Sequence, residues 1–152
     1  MITTGIAILL AVLVSLIATS WKNDMLDSVS EIGYVIPHWA FSSWIALTGI
    51  LLMPDMMEHL PDGWQWIGFF CIVGLMCVAA SSYYRTGEKW LHYIGGFLCA
   101  ICAMIVVAFN CWPLLLLWLV YIGCMWACGW YCFTFWAEFT VFGILCLCLS
   151  YC

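Results

Sequence analysis

The chain has 152 residues, of which 68% are apolar and only 7% charged. A water-soluble domain carries about a quarter of its residues as charges to cover its surface, so this composition excludes a soluble globular fold. The formal net charge of -5, with Lys and Arg together numbering 3, offers no basic patch to neutralise phosphates, which sets nucleic-acid binding aside.

Long uncharged runs recur along the whole sequence. At 1.5 Å per residue, a run of about 20 residues crosses a hydrocarbon core about 30 Å thick. The expected fold is therefore all-α, a single polytopic transmembrane domain over residues 1–152. Six helices are predicted, at residues 2–20, 34–53, 64–82, 91–109, 114–128 and 134–151. A five-helix alternative joins the last two into one long, kinked segment.

The first run ends at Trp21 and Lys22, an aromatic followed by polar residues as at a membrane interface. No Lys or Arg precedes its apolar core, so it reads as a spanning helix rather than a cleaved signal peptide. The second predicted helix carries Pro37 in its first turn, where a missing N–H is tolerated. An acidic loop from Pro54 to Gly63 follows, with Asp55, Glu58, His59 and Asp62 as possible divalent-cation ligands or, more simply, a solvated surface loop. Tyr83 to Trp90 forms the next loop, and Asn110-Cys111-Trp112-Pro113 is a compact turn signal. Gly129 to Phe133 is the last predicted turn.

Lys and Arg near helix ends are retained in the cytoplasm. Lys22, Arg85 and Lys89 all fall in loops on one side of this topology, which is therefore assigned to the cytoplasm, with the N-terminus outside. The expected location is a bacterial inner membrane. The expected partners are the lipid bilayer and a membrane-protein partner or a second copy of the chain.

The eleven cysteines all lie from Cys71 onward, nearly all within apolar runs, and read as small apolar packers. Cys99 and Cys102 have the gap of a redox pair, but nothing in that uncharged helix would stabilise a thiolate. Cys111 and Cys152 fall on the same outer side, where a disulfide between them is conceivable in oxidising surroundings.

Polar groups inside a bilayer are costly unless they face protein, so they mark where function would sit. His38, His92 and Glu138 each occur near the cytoplasmic start of a predicted helix, and Ser28, Ser30 and Glu31 approach the same level from the first loop. His38 shares a stripe with Ser42 and Gly49, and His92 one with Gly96, Cys99 and Ala103, so both should face neighbouring helices. The candidate catalytic residues are His92, Glu138 and Ser30, read as an acid/base pair aided by a hydroxyl. The candidate metal ligands are His38, His92 and Glu138, with zinc as the implied ion and a fourth position left for water. The same groups could equally satisfy one another and fix helix register without chemistry.

Several short motifs carry a resemblance. Ser28-Val29-Ser30, the Pro54 to Gly63 loop, Trp64-Gln65-Trp66-Ile67-Gly68, His92-Tyr93 and Trp136-Ala137-Glu138 resemble uncharacterised small six-helix integral membrane proteins of bacteria and their phages. That resemblance implies six helices and marks Ser28, Ser30, His92 and Glu138, but implies no activity. A fainter similarity is to the seven-helix membrane hydrolases that include alkaline ceramidases and adiponectin receptors, whose zinc lies toward the cytoplasm among His, Ser and Asp. This chain lacks their seventh helix and its paired histidines. The expected function is a non-enzymatic membrane component with a cytoplasm-facing polar cluster; the alternatives are a membrane-embedded lipid hydrolase and a small-molecule or proton-coupled transporter.

Overall fold

The computed structural model describes residues 26–81, 87–130 and 133–151. Among these, all regular secondary structure is helical. A 3-10 turn, Val29–Glu31, and a single helical turn, Ile32–Val35, lead into five helices. They are α1 (His38–Glu58), α2 (Gln65–Ala80), α3 (Lys89–Cys111), α4 (Leu117–Ala127) and α5 (Phe133–Tyr151), with a second 3-10 segment, Trp112–Leu116, between α3 and α4. The predicted helix at 2–20 lies outside the described residues, as do Lys22, Arg85 and Cys152.

Among the described residues, three helical stretches are long and apolar enough to cross a membrane: His38–Glu58, Lys89–Ala127 and Phe133–Tyr151; Gln65–Ala80 is apolar but shorter. Large side chains cover the outer surface, among them Trp39, Ile50, Phe97, Ile101, Leu119 and Trp126, each more than half exposed. Water would penalise such a surface, whereas lipid accepts it.

The 39 residues of the second stretch would reach roughly 58 Å if straight, about twice the hydrocarbon thickness. They do not run straight. Cys111 leaves helical geometry at φ -148° and ψ 63°, and Pro113 follows in the 3-10 segment, where a missing N–H costs least. The chain then folds back. Trp118 donates its indole N–H to Met104 Sδ at 3.1 Å, and Leu114 and Leu115 pack against the core that contains Val106 and Val107. The Asn110 to Pro113 turn expected from sequence is thus a real break.

The last two predicted segments are also distinct helices. Gly129 and Trp130 both take positive φ, 70° and 62°, a left-handed conformation that ends α4 as a glycine beyond a helix C-terminus commonly does. Tyr121 donates its hydroxyl to the Phe133 carbonyl at 2.7 Å, fastening α4 to the start of α5.

The second predicted helix is displaced. Residues 34–53 were expected, but α1 begins after Pro37 and continues through Pro54 to Glu58. The reason is a stripe of core residues that ignores the proline. Leu52 and Met56 are buried on α1, and Leu60 just beyond it continues the same four-residue spacing. Pro54 is exposed on the opposite side, so it forfeits only its own backbone hydrogen bond. Asp55, expected in a solvated loop, is consequently buried at 6% exposure. The true turn is Pro61 to Trp64, closed by the Trp64 N–H on the Pro61 carbonyl at 2.9 Å, with Gly63 supplying φ 84°.

α2 and α3 form the tightest pair. A Cβ on Gly74 would lie 2.5 Å from the Gly95 carbonyl oxygen and 2.7 Å from the Cys99 nitrogen; one on Gly95 would lie 2.6 Å from Cys77 Cβ. The two backbones touch at this crossing, as small residues permit in lipid. Sequence spacing pointed to Gly96, but a Cβ there would meet only Val78, at 4.0 Å. Replacing Gly95 or Gly74 by Ala should destabilise the detergent-solubilised protein by about 1–3 kcal/mol through overpacking. Gly123→Ala, where a Cβ meets nothing within 4 Å, should leave the thermal midpoint unchanged or raise it.

Candidate polar site at one end of the bundle

Four chain segments meet where α2 ends and α3 and α5 begin. Two of them, the segment before α1 and α5, begin with N–H groups that have no partner within their own helix. The 3-10 turn at Val29–Glu31 and the first turn of α5 answer each other's need. Val29 donates its N–H to Glu138 Oε2 at 2.6 Å, a contact between residues 109 apart in sequence. Ser30 donates its backbone N–H to the same carboxyl group. In return the Phe135 N–H, in the first turn of α5, donates to the Asp27 carbonyl at 3.0 Å. Glu31 also reaches back locally, accepting the Asp27 N–H on Oε2 at 2.9 Å.

A second chain of bonds links the end of α2, the start of α3 and the segment before α1. Ser81, the residue after α2, donates its hydroxyl to the Cys77 carbonyl at 2.5 Å. Its oxygen is then an acceptor, so the 3.3 Å contact with His92 Nδ1 places the imidazole proton on Nδ1. The Ser81 backbone also hydrogen-bonds the ring. His92 Nε2 is left with its lone pair and accepts the Ser30 hydroxyl at 2.9 Å. Ser30 and His92 are 8% and 6% exposed. One residue, Ser30, therefore joins the two chains of bonds, through its N–H to Glu138 and through its hydroxyl to His92.

The three predicted catalytic candidates, Ser30, His92 and Glu138, are thus brought together. Their connection differs from the expected one: Glu138 bonds backbone N–H groups, and Ser30 stands between it and His92. The ring of His38 packs edge-on against Tyr34, with centroids 5.9 Å apart. Among the described residues no three His, Cys, Asp or Glu side chains gather closely enough to hold a metal ion. The predicted zinc set of His38, His92 and Glu138 is accordingly not assembled, because the Glu138 carboxyl is turned to backbone donors and the His92 ring is engaged at both nitrogens.

The acidic segment at the end of α1 and just beyond it is likewise dispersed. Asp55 is buried in the helix, His59 Nδ1 contacts the Asp55 carbonyl at 2.6 Å, and Asp62 accepts from Gln65 Nε2 at 3.4 Å. Elsewhere, a lateral groove of about 420 Å³ between α3 and α5 is lined only by apolar side chains such as Phe97, Met104, Ile105, Trp118 and Val141.

Sequence reading missed Ser81 as a member of the site and missed the backbone of residues 27–30 as the partner of Glu138. A signal for the second was present. Ser28-Val29-Ser30-Glu31 has the S-x-x-E spacing that marks the start of a helix, and such a start carries donors in need of a carboxylate. No protein-family model, curated protein or solved structure matches the chain.

Removing the Glu138 carboxyl leaves two N–H groups without an acceptor, at about 1–3 kcal/mol per buried group. Glu138→Ala should therefore lower unfolding stability in detergent by about 2–4 kcal/mol. Glu138→Gln, which keeps one acceptor oxygen, should lose less than half of that. Equal losses in the two variants would show that the carboxyl is not the acceptor described here.

Proposed function

We propose that this protein is a multi-pass membrane component whose buried polar cluster is a clamp, closing the cytoplasmic end of the bundle and fixing how α2, α3 and α5 meet. The observation that supports this most directly is the bond from the Val29 N–H to Glu138 at 2.6 Å. It spends the one acid of α5 on backbone donors, which is what an architectural carboxylate does. The Ser81, His92 and Ser30 series has the same character, since each polar atom ends on another protein group. The cytoplasmic assignment of that end rests on Lys22, Arg85 and Lys89 through the retention of cations on that side, and the membrane of residence is a bacterial inner membrane. Lipid, and through the apolar flanks a membrane-protein partner or a second copy of the chain, are the expected neighbours.

A second reading is favoured by one specific distance. The Ser30 hydroxyl directed at His92 Nε2, with Nδ1 held by Ser81, has the nucleophile, base and orienting group of an activated serine. On that reading the protein is a lipid ester or amide hydrolase, acting without a metal. The two readings separate in one experiment on purified protein in lipid nanodiscs. A fluorophosphonate probe is expected to leave Ser30 unlabelled, while Ser30→Ala and His92→Ala both lower the unfolding temperature. Labelling of Ser30 that is lost in His92→Ala would overturn the clamp reading in favour of the hydrolase.

A further inference from the structure

The α2–α3 crossing has a consequence unrelated to the polar clamp. Gly74 and Gly95 let the helices touch, and one turn away this brings Cys71 of α2 against Cys99 of α3. Their sulfurs are 3.7 Å apart, and Cys71 Sγ also lies 3.5 Å from the Cys99 carbonyl. Cys71 is 1% exposed, whereas Cys99 is only partly buried, so the pair has one sheltered and one reachable member.

We propose that Cys71 and Cys99 form a two-coordinate site for a soft divalent d10 cation that accepts linear thiolate ligation, with mercuric ion as the probe. Thiolates select soft metals. Metal–thiolate bonds of about 2.3 Å put the sulfurs of a linear complex about 4.6 Å apart, so the pair must open by less than about 1 Å from 3.7 Å. Both thiols lose their protons as the ion binds, releasing two protons and leaving two thiolates on one doubly charged ion. The complex is neutral. Charge decides the valence, because an uncompensated charge in a low-dielectric interior is costly. Lys89 is the one Lys or Arg among the described residues, and it lies about 15 Å along α3 from Cys99 at 1.5 Å per residue. A monovalent ion would leave a net negative charge with no Lys or Arg of the described residues near it. Zinc is disfavoured for a different reason: it takes four ligands.

The test uses the full chain in detergent, with Cys111, Cys124, Cys128, Cys132 and Cys152 changed to Ser so that peripheral thiols do not compete. Native mass spectrometry is run with mercuric chloride against excess monothiol. One ion should be retained, because two sulfurs held together act as a chelate. Cys71→Ser and Cys99→Ser should each weaken retention at least tenfold, and Cys146→Ser, a buried core thiol, should leave it unchanged. X-ray absorption at the mercury edge gives a readout that does not depend on any of these three variants folding: two sulfur neighbours are expected. Three or more sulfurs, retention insensitive to Cys71 and Cys99, or no retention would overturn the proposal.

Discussion

A carboxylate partly withdrawn from water needs donors, and Glu138 finds them in the backbone of the segment before α1. The arrangement at that end of the molecule follows from this one requirement. Because the donors belong to residues 29 and 30, the chain before α1 is drawn against the first turns of α5. Because α5 also lacks acceptors for its first N–H groups, Asp27 is drawn to Phe135. Unpaired backbone donors cost several kcal/mol each in a hydrocarbon medium, so the exchange is mutual and the two segments fix one another.

The apolar packing works differently. α2 and α3 meet through glycines whose missing Cβ atoms let backbone touch backbone. In lipid there is little hydrophobic gain in bringing two such helices together, so close van der Waals contact carries the association. Several polar side chains of α1 and α3 close on backbone carbonyls, although the Trp44 indole N–H is buried without a hydrogen-bond partner among the described residues. Ser42 returns its hydroxyl to the Ala79 carbonyl at 2.7 Å, Thr48 to Trp44 at 2.9 Å, and Asn110 donates to Val106 at 2.8 Å. A bundle built this way spends much of its polar surface on its own backbone and presents aromatic and aliphatic side chains outward.

Two features of the site pull toward different kinds of function, and chemistry alone explains both. Glu138 is engaged with backbone donors, which suits architecture. Ser30 and His92 are aligned as hydroxyl and base, which suits reactivity, yet the same alignment is also the cheapest way to satisfy an imidazole in a nonpolar interior. The Cys71 and Cys99 pair is another product of the close crossing rather than of local sequence. Cys99 and Cys102 invited attention because they are near in sequence, but the sulfur that approaches Cys99 comes from another helix.

Composition and run length by themselves determined the helical class, the apolar outer surface and most helix positions, because 1.5 Å per residue and the cost of charge in lipid leave few alternatives. They also picked out Ser30, His92 and Glu138, since a polar residue within an apolar run has to be accommodated by protein. Tertiary structure alone decided the extension of α1 past Pro54, where a stripe buried against other helices outweighed the local signal of a breaker. It alone set the choice of Gly95 over Gly96 at the crossing, which depends on the rotation of one helix against another. It alone made backbone rather than histidine the partner of Glu138, because free N–H groups become visible only once the ends of separate helices are brought side by side.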